Sequence, residues 1–219
     1  MTTNIVKDKF ASTEVSAEQV ERENKQSDIL QFSGKAHFCS VSVIDIVNST
    51  RTSANISPSK LGDFYSIFLN SVADIVKKNG GIVVKNIGDS LLYYFAVYDT
   101  SNNSIANSFN CNFQIIEKRD EINKNLTKNG LPAISYRISS DYGKVFVAMS
   151  SISSIEDIFG PTVNMCAKIN HVGESNRFFI GNDLFIHAKT IPGFKFDEIN
   201  KDRCSVLKFD YPVYYVKKA

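Results

Sequence analysis

From residue 37 onward, short β-branched runs alternate with longer stretches whose apolar residues recur every three or four positions. HFCSVSVIDI (37–46) has the composition of a buried strand and ends on a carboxylate, Asp45. In SPSKLGDFYSIFLNSVADIVKKNGG (57–81), Leu61, Phe64, Tyr65, Phe68, Leu69, Val72, Ile75 and Val76 fall at helical spacing. A Ser-Pro start and a Gly-Gly end bound that helix. Residues 81–97 predict a hairpin, with IVVK and SLLYYF flanking Asn86-Ile87-Gly88-Asp89. Residues 102–128 predict one long helix, with Ile105, Phe109, Phe113, Ile116 and Ile122 on its apolar side. PAISYRISSDYGKVFVAMS (132–150) predicts two strands turning at Asp141-Tyr142-Gly143, and FGPTVNMCAKINHVG (159–173) a helix with Pro in its first turn. RFFIG reads as a strand, NDLFIHAK as a short helix, and FKFDEI, CSVLKF and PVYYV as closing strands. The order β-α-β-β-α-β-β-α-β, with a tail of short elements, predicts an α+β fold: a ferredoxin-like mixed or antiparallel sheet with covering helices.

Residues 1–35 lack an apolar stripe and read as a polar N-terminal arm or linker; residues 36–219 read as a single domain. A chain of 219 residues with 43% hydrophobic content is long enough to bury a proper core. The net charge of +2 gives no case for a nucleic-acid partner. No apolar run reaches the roughly 20 residues that span a bilayer, and the N-terminus lacks the apolar core of a signal peptide. Cys39, Cys111, Cys166 and Cys204 form no CxxC pair, so reduced buried thiols in a cytoplasmic protein are expected.

Two carboxylates bear on chemistry. Asp45 ends the first strand and Asp89 sits at the hairpin tip. Alone, Asp89 reads as a solvated turn residue. In a ferredoxin-like sheet, however, these two strand ends meet, and paired carboxylates suit hard cations such as Mg²⁺ or Mn²⁺. The segments around them resemble the class III nucleotidyl cyclases. Asp45-Ile46-Val47-Asn48-Ser49-Thr50 is similar to that family's D-[IV]-x-G-F-T segment, and Gly80 to Asp89 match every fixed position of G-G-x-x-x-K-x-x-G-D. Tyr136-Arg137-Ile138 through Gly143 is similar to its basic strand with a Gly turn. Asp157-Ile158-Phe159-Gly160 through Asn164 and Lys168 follows D-[IV]-[WF]-G-x-x-V-N-x-A-x-R, and Pro212-Val213-Tyr214-Tyr215 its closing strand. The resemblance runs from about residue 37 to 217.

The resemblance implies conversion of a nucleoside triphosphate, ATP by preference, to its 3′,5′-cyclic monophosphate and pyrophosphate, with two Mg²⁺ or Mn²⁺ ions per site. It implies that Asp45, Asp89 and the Ile46 carbonyl hold the metals. The backbone of Val47, Asn48, Ser49 and Thr50 would cradle phosphates. Asn164 would orient the ribose, and Lys208 would neutralise the terminal phosphates. Lys85 and Asp157 would read the base as donor and acceptor. Taken singly they read as a solvated strand residue and a helix N-cap. Lys168 stands where the family carries Arg; it keeps the charge that faces the α-phosphate but not the planar fork. The family builds each site from two subunits, so a chain carrying both residue sets implies a symmetric homodimer, with the YYF and VYYV runs as candidate interface aromatics. Two other readings stay open: a low-activity ATP-binding or dimerisation module, and a cyclase for a guanine or pyrimidine nucleotide.

Overall fold

The computed structural model describes residues 30–98, 103–150, 156–200 and 210–219. Its elements are β1 (Leu30–Ile46), α1 (Ser49–Ser53), α2 (Pro58–Lys78), β2 (Ile82–Ile87), β3 (Ser90–Val97), α3 (Asn103–Glu117) and α4 (Arg119–Lys128). There follow β4 (Tyr136–Ser150), β5 (Glu156–Phe159), α5 (Pro161–Val172), β6 (Phe178–Gly181), α6 (Asn182–Ala188), β7 (Phe194–Glu198) and β8 (Val213–Lys218). The described strands form one sheet in the order β2-β3-β1-β4-β6-β8-β7, with β5 pairing β4 outside that path. All pairs are antiparallel except β4 with β6. This is the expected α+β mixed sheet with covering helices.

The alternation of β1 divides its residues between two cores. Ile44 and Ile46 join Phe64, Phe68, Val72 and Val76 of α2 and Phe109 and Phe113 of α3 in the main core. Cys39 and Val41 point the other way, to Leu92, Tyr94, Val145, Ile158 and Cys166. On that second face α5 crosses β4 and β1, while among the described residues the main helix contacts of β2 and β3 are with α2 and α3 of the main core. Ile82 and Ile87 of β2 are largely exposed there, Ile87 at 57%.

Three sequence expectations change. The helix expected over 102–128 is two helices that meet at Lys118, and the second packs Ile122 and Leu126 onto the main core beside α2. The hairpin expected around Asp141-Tyr142-Gly143 does not exist: β4 runs straight through it, paired with β1 from Ile46–Tyr136 to beyond His37–Val145. Both turn-like residues serve distant contacts instead. A Cβ on Gly143 would meet Thr162 Oγ1 at 2.4 Å, so the glycine lets α5 approach the sheet. Buried Asp141 accepts from the Leu184 N–H in the first turn of α6 and from the Tyr211 hydroxyl. The strand that does turn back on β4 is β5. The YYF aromatics Tyr93, Tyr94 and Phe95 are buried within the chain and form no docking surface, whereas Tyr214 and Tyr215 of the VYYV run are half-buried, Tyr214 stacking on Phe185 and Tyr215 packing on Phe179.

Strand β1 begins at Leu30, inside the span read as an arm; residues 1–29 lie outside the described residues, as do CSVLKF, Cys204 and Lys208. Cys39, Cys111 and Cys166 are buried and free, and burial pushes each thiol up to about 12. Among the described residues no helix is long and apolar enough to cross a membrane.

Candidate active site

Residues Asp45 and Asp89 meet at one corner of the sheet. β1 lies between β3 and β4, so the last residues of β1 face the first residues of both neighbours. Ile44 pairs with Leu91, and Asp45 pairs with Arg137. One position beyond the Ile44–Leu91 pair, the Ser90 hydroxyl donates to Asp45 Oδ1 at 2.6 Å, and Arg137 Nη2 donates to Oδ2 at 3.1 Å. Both Asp45 oxygens are therefore held by fixed donors. The hairpin between β2 and β3 turns on Gly88, whose φ of 63° suits the first position of a two-residue loop, and this puts Asp89 beside the same corner.

The Asp89 carboxyl is pushed above the usual carboxylate range chiefly by burial, and the negative charge of Asp45 acts in the same direction; hydrogen bonds from Ser49 and from its own backbone N–H oppose the rise. Its Oδ2 is buried with no hydrogen-bond partner. A buried acceptor without a donor is costly, and a second carboxylate alongside raises the cost. A divalent cation answers both: it supplies positive charge to the pair and a partner to the orphaned oxygen. Mg²⁺ and Mn²⁺ accept two carboxylates and complete their shells with substrate phosphates and water. The residues present fit such an ion.

Next to Asp45, Asn48 takes a left-handed conformation, φ 58°, and leads into α1. The first N–H groups of a helix have no intrahelical acceptor, so Ser49 and Thr50 retain donors for an anion. Val47 does not: its N–H donates to the Ser135 carbonyl at 2.8 Å, and it drops out of the phosphate cradle expected from the sequence. The Ile46 side chain is buried in the main core, and its backbone pairs with Tyr136.

Residues Lys85 and Asp157, distant in sequence, form an ion pair. The register of β2 against β3 shifts between Val83 and Lys85, a bulge that re-aims the lysine. Asp157 lies on β5, which the β4 pairing brings alongside β2, and it caps no helix. Lys85 lines an open groove of about 490 Å³ together with Ile87, Leu92, Ile158, Phe159 and Asn164, among others, and Asp157 adjoins it through the ion pair. Asn164 and Lys168 lie one turn apart on α5, both exposed. Neither Asp45 nor Asp89 lines this groove. One chain thus carries two clusters, an acidic corner and a largely apolar groove to which Lys85 and Asn164 bring polar groups.

Arg137 lies in the basic strand motif, and the sequence alone assigns it no role. Its partnership with Asp45 depends on the β1–β4 register, and the only sequence signal for it is the basic residue at the start of a strand.

Comparison with known proteins identifies the family and the fold. Residues 33–206 match the family model of the adenylate and guanylate cyclase catalytic domain. The fold is similar to the adenylyl cyclase CyaB from P. aeruginosa, with a TM-score of 0.73 and 17% identity over 84% of this chain and 96% of that one. It is also similar to the guanylate cyclase domain of RhGC from Catenaria anguillulae in complex with GTP, with a TM-score of 0.70 and 18% identity over 84% of this chain and 99% of that one. A cytidylate cyclase from Escherichia coli is 25% identical over 152 residues, 64% of this chain, which spans only 33% of that protein's length. The chain belongs to the class III family of adenylate and guanylate cyclase catalytic domains.

Proposed function

We propose that the chain closes ATP to 3′,5′-cyclic AMP and pyrophosphate at a site shared by two copies of itself. The base choice rests on one observation, the ion pair of Asp157 with Lys85, which lines the groove that also holds Asn164. Lys85 donates and Asp157 accepts. Adenine offers the acceptor N1 next to the donor N6 amine, which complements both. Guanine and uracil offer a donor N–H next to a carbonyl and are opposed at both positions.

The ribose 3′-hydroxyl gives its proton to solvent as its oxygen bonds to the α-phosphorus, the bond from that phosphorus to the β-phosphate oxygen breaks, and pyrophosphate leaves. Two Mg²⁺ or Mn²⁺ ions at the acidic corner would supply a lowered 3′-hydroxyl pKa and countercharge for the triphosphate. Asp45, Asp89 and the Ile46 carbonyl are the residues that would hold them. Ser90 and Arg137 fix the Asp45 oxygens, so the carboxylate needs no reorganisation on loading. The donors of Asn48, Ser49 and Thr50 face the phosphates. Asn164 bonds the ribose, and Lys168 brings positive charge to the α-phosphate as a point charge without the two-point grip of an Arg. Lys208 remains in the proposal as a terminal-phosphate contact. Asp45 and Asp89 do not line the groove of their own chain, and exposed apolar residues such as Ile87 border that groove. Both observations favour a homodimer in which the corner of one copy faces the groove of the other.

A second reading has its own support. Cytosine offers the acceptor N3 next to the donor N4 amine, the same polarity as adenine, and a cytidylate cyclase is among the relatives. Lys85 and Asp157 separate ATP and CTP from GTP and UTP, and groove size must separate ATP from CTP. Incubating the purified protein with each ribonucleotide and Mn²⁺, and resolving the cyclic products, tests both. Cyclic AMP as the main product is expected. Cyclic CMP would favour the second reading, and cyclic GMP or cyclic UMP would remove Lys85 and Asp157 as the base readers.

A further inference from the structure

Asn170 lies on α5, six positions beyond Asn164, yet it points away from the groove and is buried. Its side chain makes three hydrogen bonds, using both amide protons and the carbonyl oxygen. Nδ2 donates to the Val43 carbonyl of β1 at 3.0 Å and to the Arg137 carbonyl of β4 at 3.3 Å. Oδ1 accepts from Arg137 Nε at 3.0 Å. The same guanidinium then reaches Asp45 through Nη2. The two bonds from Nδ2 dock the helix on the sheet. The bond to Oδ1 does something else: it fixes the plane of a guanidinium whose far end grips a candidate metal ligand.

We infer that Asn170 is a positioning residue for Asp45, acting through Arg137. The inference rests on the reading of Asp45 as a metal ligand. A guanidinium held only by Asp45 follows that carboxylate as it rotates. Held at Nε by a buried amide on a docked helix, it gives the carboxylate a fixed direction in which to bind a cation. The path also ties α5, which carries Asn164 and Lys168, to the acidic corner of the same chain. In the proposed dimer those two clusters serve different sites, so the nucleotide half of one site is mechanically joined to the metal half of the other.

Mn²⁺ binding, followed by electron paramagnetic resonance on the full chain with the metal alone, separates this role from simple helix docking. Asn170→Ala is expected to weaken Mn²⁺ binding roughly tenfold. Arg137→Lys, which keeps the charge and leaves both docking bonds of Asn170 in place, is expected to weaken it by a similar factor. Adding Asn170→Ala to Arg137→Lys is expected to cost nothing more, because the path is already cut. An Asn170→Ala protein with a lowered melting temperature and unchanged Mn²⁺ affinity overturns the inference, as does a full additional loss in the double variant. If Asn170→Ala does not fold, Arg137→Lys carries the test, and unchanged Mn²⁺ affinity in that protein overturns it. Asp45→Ala identifies the other failure: Mn²⁺ binding equal to that of the parent protein would show that the metal reading of the corner is wrong.

Discussion

The acidic corner and the base groove are closed to different degrees. At the corner, Ser90, Arg137 and Asn170 lock Asp45 in place from three elements, and one oxygen of the half-buried Asp89 is buried beside it. At the groove, Lys85 pairs with Asp157 and lies over the Phe159 ring, and the Ile158 N–H holds the other Asp157 oxygen, all on an open wall whose neighbouring Ile87 is exposed. A chain that completes one half of a site and leaves the other open is suited to close the second half with another molecule. The contrast also separates two kinds of precision. Metal ligation needs fixed oxygens before substrate arrives, whereas a base-reading wall can be finished by the base and the opposing chain.

The largest effect is expected at the corner. Asp89→Asn should lower cyclase activity by roughly 10³-fold. The same change removes a buried charge next to Asp45, so the melting temperature should hold or rise. Calorimetry and a product assay on one preparation check both, and an active Asp89→Asn protein would break the contrast at its better-ordered end. Next, Lys85→Glu reverses polarity in the groove. It should lower kcat/KM for ATP by at least roughly 10²-fold with little change in stability, because the Lys85 side chain is substantially exposed. Smaller still, Lys168→Arg should raise kcat by up to about tenfold by restoring a two-point grip on the α-phosphate. An unchanged kcat would mean that this position does not touch that phosphate.

The smallest effect lies away from both regions and concerns stability alone. Burial pushes the Asp141 carboxyl up to about 7, against bonds from the Tyr142 N–H, Tyr211 and the Leu184 N–H. A carboxyl whose folded pKa is raised contributes its stability fully below the ordinary carboxylate pKa and loses it as pH rises through the folded value. Thermal unfolding should therefore show a loss on the order of 2 kcal/mol between about pH 5.5 and about pH 8. Asp141→Asn should flatten that slope, and the same slope in the Asn variant would assign it to other groups.

Much of this organisation was legible in the sequence where local rules coincide with the fold. The periodicity of α2 and the Gly88-Asp89 turn need only the residues beside them, and the Asp45–Asp89 meeting follows once a hairpin adjoins the first strand. The Asp141-Tyr142-Gly143 triplet misled because it has turn composition for reasons that lie elsewhere: Gly143 makes room for Thr162, and Asp141 bonds the start of α6. Nothing within a few residues of Arg137 or Asn170 signals that they meet. That contact depends on how α5 lies across the β1–β4 pair, and so the positioning path was invisible in the sequence although every residue in it was in view. Val47 shows the same limit, since its N–H is taken by Ser135 from a distant segment.

The central claim is that the corner of one copy works with the groove of another, and mixing two inactive variants tests it most directly. Asp89→Asn disables every corner and Lys85→Glu every groove. In an equal mixture allowed to exchange subunits, half of the dimers pair one variant with the other, and each of these regains one intact site of two. The account predicts that the mixture recovers about a quarter of the parent activity while each variant alone stays near background. A mixture that forms mixed dimers by mass spectrometry and stays inactive would contradict it.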